Sequence, residues 1–108
     1  MLIADIYRYK DSAYAISPER AKELTPASTA FVQKYAKSGH WKVNFGFANG
    51  RGGIAIWEFA SGEEMSRILR ESPVWAYLDS EIIPLSETDM IADALKEAAK
   101  AAKKSGKK

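Results

Sequence analysis

Two residues of this sequence are suited to moving protons. His40 is the only histidine, and an ordinary imidazole titrates close to physiological pH. Asp5 stands inside the apolar stretch LIADIYRY, where burial would raise the carboxyl pKa and make it a stronger base. We therefore predict His40 and Asp5 as catalytic residues for a proton shift beside a carbonyl. Structural alternatives stay open, namely an exposed loop position for His40 and an ion pair for Asp5.

Three further side chains are predicted to line a substrate cavity. Tyr7, Asn44 and Trp57 fall on one face of the predicted sheet, because side chains alternate across strands. A phenol can donate a hydrogen bond to an oxyanion, an amide can orient a carbonyl group, and an indole can stack on a flat ring. The alternative is that these residues form a dimer core with their polar tips satisfied.

Other kinds of chemistry find little support. The chain has no cysteine, so thiolate ligands and disulfides are excluded. No set of His, Asp and Glu has metal-ligand spacing, and we predict no metal site. The glycine-rich segment at 50–53 precedes a predicted strand, whereas a phosphate cradle needs a helix N-terminus, so we interpret it as a hairpin turn.

The elements that would position these residues follow a familiar order. Strands are predicted at 2–9, 41–48, 53–60 and 80–85, with helices after Ser17 and after Ser61. The order βαββαβ predicts an α+β, ferredoxin-like fold with a four-stranded antiparallel sheet whose first and third strands are central. Pro84 lacks an amide hydrogen and favours an edge position for the fourth strand. Pro26 is expected to kink or interrupt the first helix.

The predicted sheet has two different faces. One is aliphatic or phenylalanine and is expected to pack under the helices; it comprises Leu2, Ala4, Ile6, Val43, Phe45, Phe47, Ile54 and Ile56. The other mixes aromatic, small and polar groups, including Asp5, Tyr7 and Trp57. Because two helices cannot cover both faces, an exposed aromatic face would be a binding surface. We therefore predict a homodimer in which the mixed face meets the same face of a second subunit.

The chain divides into a neutral body and a basic end. We predict a single ferredoxin-like domain at 1–87, followed by an Ala/Lys-rich helix and tail at 88–108. Residues 88–108 contain six lysines and three acidic residues. The tail has no aromatic residue for stacking on bases, which argues against nucleic-acid binding. We interpret it as a solvated end, and expect the helix to dock on its own or a neighbouring subunit.

Nothing in the sequence predicts a membrane or secretory segment. No apolar run approaches the roughly 18–20 residues that a membrane span needs, and the N-terminal residues lack a basic start followed by an apolar run. The absence of cysteine suits a reducing compartment. We therefore expect a cytoplasmic protein that does not contact membranes.

Several short motifs occur together in order. They are the opening ML strand, Pro18 and Leu24 in the first helix, GHW at 39–41, SGEE at 61–64 and PVWAYLD at 73–79. This set resembles the dimeric α+β barrel superfamily and, within it, the muconolactone isomerase-like family. The resemblance runs from Met1 to about Leu85. In one place the sequence differs: the family's second strand tends to carry basic or histidine residues, whereas here it offers only Lys42.

The resemblance implies a subunit that dimerises through its sheet and can assemble further into a ring. It implies an isomerase of aromatic compound catabolism that needs no cofactor and shifts a proton on an unsaturated lactone or related oxygenated ring compound. Through the matching motifs it adds Trp41 and Tyr77 to the predicted substrate-binding residues, and for Tyr77 the alternative is a structural role in which hydrogen bonds fix the chain crossing. Two alternatives stay open: a non-catalytic ligand-binding or assembly protein of the same fold, and a cofactor-free monooxygenase of that fold.

Overall fold

The computed structural model describes residues 1–105, so the last residues of the basic tail lie outside the described part. The four strands are β1 (Leu2–Tyr9), β2 (Trp41–Gly46), β3 (Gly52–Glu58) and β4 (Leu78–Pro84). The three α-helices are α1 (Pro18–Lys37), α2 (Gly62–Glu71) and α3 (Met90–Ser105). Short 3₁₀ helices lie at Asp11–Ala15 and Trp75–Tyr77.

The four strands form one antiparallel sheet in the order β2-β3-β1-β4. The prediction that β1 and β3 are central is confirmed, as is the edge position of β4. Pro84 is the last residue of that edge strand and pairs with Ile3. No strand of the described sheet lies on the outer side of β4, so the amide hydrogen that proline lacks is not needed there. The α+β, ferredoxin-like fold class is therefore confirmed.

The predicted helix starts are present. The hydroxyl of Ser17 accepts a hydrogen bond from the amide of Arg20 at 3.2 Å, and the hydroxyl of Ser61 accepts one from the amide of Glu64 at 3.1 Å. Of the kink or interruption expected at Pro26, the interruption is wrong, because α1 is continuous from Pro18 to Lys37; the kink stays a prediction. Proline removes one backbone donor from a long helix, and the bonds on either side of it keep the helix together.

The helices pack on the sheet face opposite to the one predicted. The buried core consists of Ile3, Ala55, Trp57 and Phe59 from the sheet side with Tyr35, Ile68 and Leu69 from the helices. The mixed face is thus covered by α1 and α2, so the prediction that it would meet a second subunit is wrong. Alternation determines which residues share a face, but the right-handed strand–helix–strand crossover decides which face the helices reach. The large aromatic rings fill the space beneath them.

The aliphatic face of the sheet is consequently left open. Phe45 is 65% exposed, and Val43 and Ile83 are exposed as well. Ile54 and Ile56 on the central strand are only partly buried. Within residues 1–105 no helix packs over these side chains. We call this surface, defined by Val43, Phe45, Ile54, Ile56 and Ile83, the open face.

The C-terminal helix projects from the rest of the subunit. Asp89 stands just before α3, and its carboxylate accepts hydrogen bonds from the amides of Ile91 at 3.0 Å and Ala92 at 3.2 Å. Met90, Ile91 and Leu95 are 65–73% exposed, so the helix does not bury its apolar side on its own subunit. Docking on a neighbouring subunit stays a prediction. None of the described helices is both long enough and apolar enough to cross a bilayer.

Candidate active site

A cavity of about 140 Å³ lies between the mixed face of the sheet and the helices. Its walls are mostly apolar, and aromatic rings supply much of their area. The cavity is lined by Asp5, Tyr7, Tyr9, Ser28, Phe31, Val32, Trp41, Ala55, Trp57, Leu69, Ser72, Val74, Trp75, Leu78 and Ser80. Four of the residues predicted for the site, Asp5, Tyr7, Trp41 and Trp57, are brought together here.

Asp5 is the acidic group of this cavity. It lies on central strand β1, opposite Ala55 on one side and Ile82 on the other. Asp5 is only 6% exposed, and its Oδ1 has no hydrogen-bond partner among the described residues. Burial raises the pKa of the Asp5 carboxyl, and the hydroxyl of nearby Ser80 opposes only part of that rise. Asp5 is therefore a stronger base, once ionised, than an exposed aspartate.

Trp57 also lines this cavity, and it carries a buried hydrogen-bond donor without a partner in the described residues. The residue is 2% exposed, and its indole Nε1 has no partner among residues 1–105. Its ring stacks on Phe59 with centroids 5.3 Å apart, and Trp41 meets it edge-on at 4.9 Å. Neighbouring rings thus hold the indole in place, whereas buried tryptophans usually find a partner for their N–H group.

Tyr7 lines the cavity and is fixed by Asn44. The Tyr7 hydroxyl donates a hydrogen bond to Asn44 Oδ1 at 2.7 Å. The phenol lies over Gly53, where an added Cβ would overlap the Tyr7 hydroxyl and the carbonyl oxygen of Phe45. Burial raises the pKa of Tyr7, so the phenol stays neutral. Asn44 itself does not line the cavity and acts on it only through Tyr7.

The segment PVWAYLD closes one side of the cavity. Val74, Trp75 and Leu78 line it, and Trp75 is 40% exposed at its mouth. Tyr77 is not among the lining residues; it faces a separate groove with Tyr14. Several other lining residues were not predicted from the sequence, among them Trp75 and the α1 residues Ser28, Phe31 and Val32. The helical stripe containing Phe31 and Val32 was visible in the sequence, but it did not indicate a cavity.

His40 lies in a different place from the cavity. Its Nδ1 is 2.6 Å from the hydroxyl of Ser38, and its Nε2 is 3.0 Å from Glu64 Oε1. The same Glu64 oxygen accepts a hydrogen bond from the Ala60 amide at 3.0 Å, and this bond, followed by the contact with His40, lowers the pKa of Glu64. His40 thereby links the end of α1 to the start of α2, and Asp5 is not among its partners.

The described residues offer no obvious metal centre. Among residues 1–105, no group of three or more His, Cys, Asp or Glu side chains is arranged to hold a metal ion.

Solved structures with this fold identify the class of protein. A crystal structure of muconolactone isomerase matches with a TM-score of 0.70 and 19% sequence identity, over 83% of this chain and 93% of that chain. A 5-chloro-2-hydroxyhydroquinone dehydrochlorinase from Burkholderia phenoliruptrix AC1100, in complex with 2,5-dihydroxybenzoquinone, matches with a TM-score of 0.61 and 12% identity, over 82% and 96%. The chain therefore has the dimeric α+β barrel fold.

The family follows from the sequence match. The family described as muconolactone delta-isomerase matches residues 11–90, which is most of the chain. This chain belongs to the muconolactone delta-isomerase family, as the motif resemblance implied. No curated protein sequence matches it significantly. Most of α3 lies beyond the matched range.

Proposed function

We propose that this chain is a cofactor-independent isomerase that shifts a proton on an unsaturated lactone or a related oxygenated ring compound. The observation that carries the proposal is the pair formed by Asp5 and Trp57. Both are almost fully buried, both have a polar atom without a partner in the described structure, and both line one cavity. Membership of an isomerase family supports the reaction class, and the cavity supplies a base and a donor for it.

The proposed reaction uses one base twice. The Asp5 carboxylate removes a proton from one end of the three-carbon unit next to the ring carbonyl, the α-carbon of a β,γ-unsaturated lactone or the γ-carbon of an α,β-unsaturated one, and the electron pair moves onto the carbonyl oxygen to form a dienolate. The indole N–H of Trp57 donates to that oxygen and stabilises the developing charge. The protonated Asp5 then returns the proton to the far end of the conjugated system, so the product is an isomer of the substrate.

The sheet register puts these groups at a suitable spacing. Ala55 lies directly opposite Asp5, and Trp57 is two residues further along β3. Such diagonal neighbours have α-carbons about 7–8 Å apart, and in this proposal one ring binds between their side chains. Tyr7 follows Asp5 on the same face of β1, about 7 Å further along the strand.

The other predicted site residues receive narrower roles in this proposal. Tyr7 and Trp41 form walls that hold the ring, and Asn44 positions Tyr7 through its hydrogen bond. His40 is assigned a positioning role between α1 and α2, since its partners are Ser38 and Glu64. Tyr77 is assigned to the second groove, which it shares with Tyr14.

We also propose that two subunits associate through the open face. Its exposed side chains are apolar, and Phe45 is the most exposed of them. A contiguous apolar patch of this kind marks an interaction surface. Because the faces differ from those predicted, the dimer would bury the aliphatic side of the sheet and leave the cavity inside each subunit.

The proposed activity can be tested with two lactones. Muconolactone and α-angelica lactone, an uncharged β,γ-unsaturated lactone, would be incubated with the protein in D₂O, and isomerisation and deuterium uptake followed by NMR. Asp5→Asn is expected to lower kcat by at least about 100-fold, the usual minimum for a lost general base. Trp57→Phe removes the indole N–H but retains an aromatic ring, and it is expected to lose a similar factor, about 10²–10³.

Asp79→Asn is the matched control, because Asp79 is an exposed acid on the neighbouring strand β4. It should retain wild-type activity. Unchanged turnover in Asp5→Asn would contradict the proposal. Tight ligand binding with no turnover of either lactone by the wild type would favour the non-catalytic ligand-binding alternative.

A further inference from the structure

We infer that the cavity selects an uncharged single-ring compound that carries a hydrogen-bond acceptor for Trp57 and a donor or acidic C–H for Asp5, and that it rejects carboxylate ligands. This inference concerns the ligand class of the site in the proposed function and rests on that site. The charge of the walls, the size of the cavity and its two unpartnered polar atoms support it.

The charge of the cavity walls favours an uncharged ligand. Among the residues that line the cavity, all within the described part of the chain, there is no Lys, Arg or His. Asp5 is the group there that can become negatively charged near neutral pH, since tyrosine phenols ordinarily stay neutral. A bound carboxylate would lose its hydration without gaining a cation, and it would also face the Asp5 charge. An uncharged ring avoids both costs.

The size of the cavity favours a ligand with a single ring. Its volume is about 140 Å³, and a protein cavity of roughly 150 Å³ lined by apolar side chains accommodates benzene. Phe31, Trp41 and Trp57 present aromatic surfaces to this space, which suits a flat ring by offset or edge contacts. One ring with small oxygen substituents fits this volume.

Two buried polar atoms without partners indicate which polar groups the ligand carries. A donor, Trp57 Nε1, and an acceptor, Asp5 Oδ1, are both buried without partners in residues 1–105. Leaving either atom unpaired in the protein interior costs free energy. A ligand with a carbonyl oxygen and a neighbouring hydroxyl or acidic C–H carries the groups that complement these two atoms. Ser80 beside Asp5 provides one more polar contact at the same end of the cavity.

The test compares ligands that differ in one charge. Binding of 3-hydroxybenzaldehyde and 3-hydroxybenzoate to the full chain at pH 7.5 would be measured by calorimetry and by quenching of tryptophan fluorescence. The neutral aldehyde is expected to bind at least about tenfold more tightly than the carboxylate, because the carboxylate has no compensating cation. Equal affinities, tighter binding of the carboxylate, or no binding of either compound would overturn the inference.

A pair of lysine variants separates cavity charge from total charge. Ser28 lines the cavity from α1, while the adjacent Thr29 is exposed on the same helix and does not line it. Ser28→Lys is expected to improve 3-hydroxybenzoate binding by about tenfold or more, since it supplies the missing cation. Thr29→Lys changes the net charge equally and should leave both affinities unchanged. An equal effect of the two variants would contradict the inference.

The two proposals can fail separately. If the protein prefers the neutral ring but converts neither lactone, the isomerase proposal fails and the ligand class stands. If it isomerises muconolactone, which carries a carboxylate, with a higher kcat/KM than α-angelica lactone, the ligand class fails and the isomerase proposal stands.

Discussion

The carboxyl group of Asp5 lies where an ionised group is costly to maintain. It is nearly inaccessible to solvent, one of its oxygens has no partner among the described residues, and the cavity walls supply no cation. A buried charge without compensation destabilises a fold, and surrounding apolar residues would serve stability better. Such a residue is typical of a functional site, and its cost can be measured.

Asp5→Asn is expected to raise the melting temperature near neutral pH. The folded-state pKa of Asp5 is raised, so the stability associated with its protonated form is present below the unfolded pKa and is lost as pH rises through the folded pKa. The melting-temperature difference between variant and wild type should therefore grow from pH 4 to pH 7.5. A gain of about 1 kcal/mol corresponds to roughly 4–8 °C in a chain of this size.

Thermal unfolding followed by circular dichroism at several pH values measures this difference. Asp79→Asn, the exposed control, should show no such pH-dependent gain. A loss of stability in Asp5→Asn that grew with pH would mean that the ionised carboxylate is compensated in the folded state, and the interpretation of the cavity would have to change.

Gly53 is required by the close approach of Tyr7. Gly53→Ala would push a methyl group against the Tyr7 hydroxyl and the Phe45 carbonyl oxygen, so it is expected to destabilise the fold by about 1–3 kcal/mol through overpacking. Gly62→Ala is a matched control, since an added Cβ there meets nothing within 4 Å. Urea unfolding of the two variants should give clearly different midpoints. Similar midpoints would show that Tyr7 and β2 shift easily.

At the scale of elements, the cavity depends on how α1 and α2 are held together. Tyr35 of α1 is buried, and its hydroxyl donates to the carboxylate of Glu71 at the end of α2. Lys34 pairs with the other oxygen of Glu71 at 2.7 Å. These contacts lower the pKa of Glu71, with Lys34 as the largest cause and Tyr35 next. The two helices that roof the cavity are thereby joined at a defined point.

Tyr35→Phe removes the hydrogen bond without removing the ring. We expect a loss of about 1.5–3 kcal/mol in unfolding free energy, the range for a hydrogen bond to a charged group. Glu71→Gln should cost less when introduced into Tyr35→Phe than into the wild type, and a double-mutant cycle measures this coupling. Glu63→Gln, at an exposed position in the first turn of α2, is the control. Full additivity would mean that the contact does not couple the helices.

At the scale of the whole molecule, two apolar surfaces are left uncovered in the described subunit. One is the open face of the sheet, and the other is the side of α3 that contains Met90, Ile91 and Leu95. The sheet surface belongs to the part of the chain matched by the family, whereas most of α3 extends past it. We therefore assign the proposed dimer contact to the open face and not to α3.

Phe45→Glu is expected to convert the proposed dimer into monomers, because it places a charge within an apolar contact. Sedimentation velocity at several concentrations measures the outcome. Met90→Glu introduces the same charge on α3 and should leave the dimer intact, as should deletion of residues 88–108. Dissociation by the deletion, with no effect of Phe45→Glu, would transfer the interface from the sheet to the C-terminal helix.

Local features of the sequence determined the order of the helices and strands and the residues that share a face of the sheet. Strand alternation, the hydroxyl caps at Ser17 and Ser61 and the edge signal of Pro84 specified the order of elements, because each acts over a few residues. The same features placed Asp5, Tyr7 and Trp57 on one face. The continuity of α1 through Pro26 was not predictable from them, because it depends on the helix as a whole.

Only the tertiary structure decided what each face of the sheet does. Alternation is symmetric between the two faces, so it could not show that the crossover helices cover the aromatic face and leave Phe45 in the open. Nor could it separate His40 from Asp5, because their distance depends on where α1 ends relative to β1. The cavity arises from side chains that are remote in sequence, and it forms only when both helices have packed on the sheet.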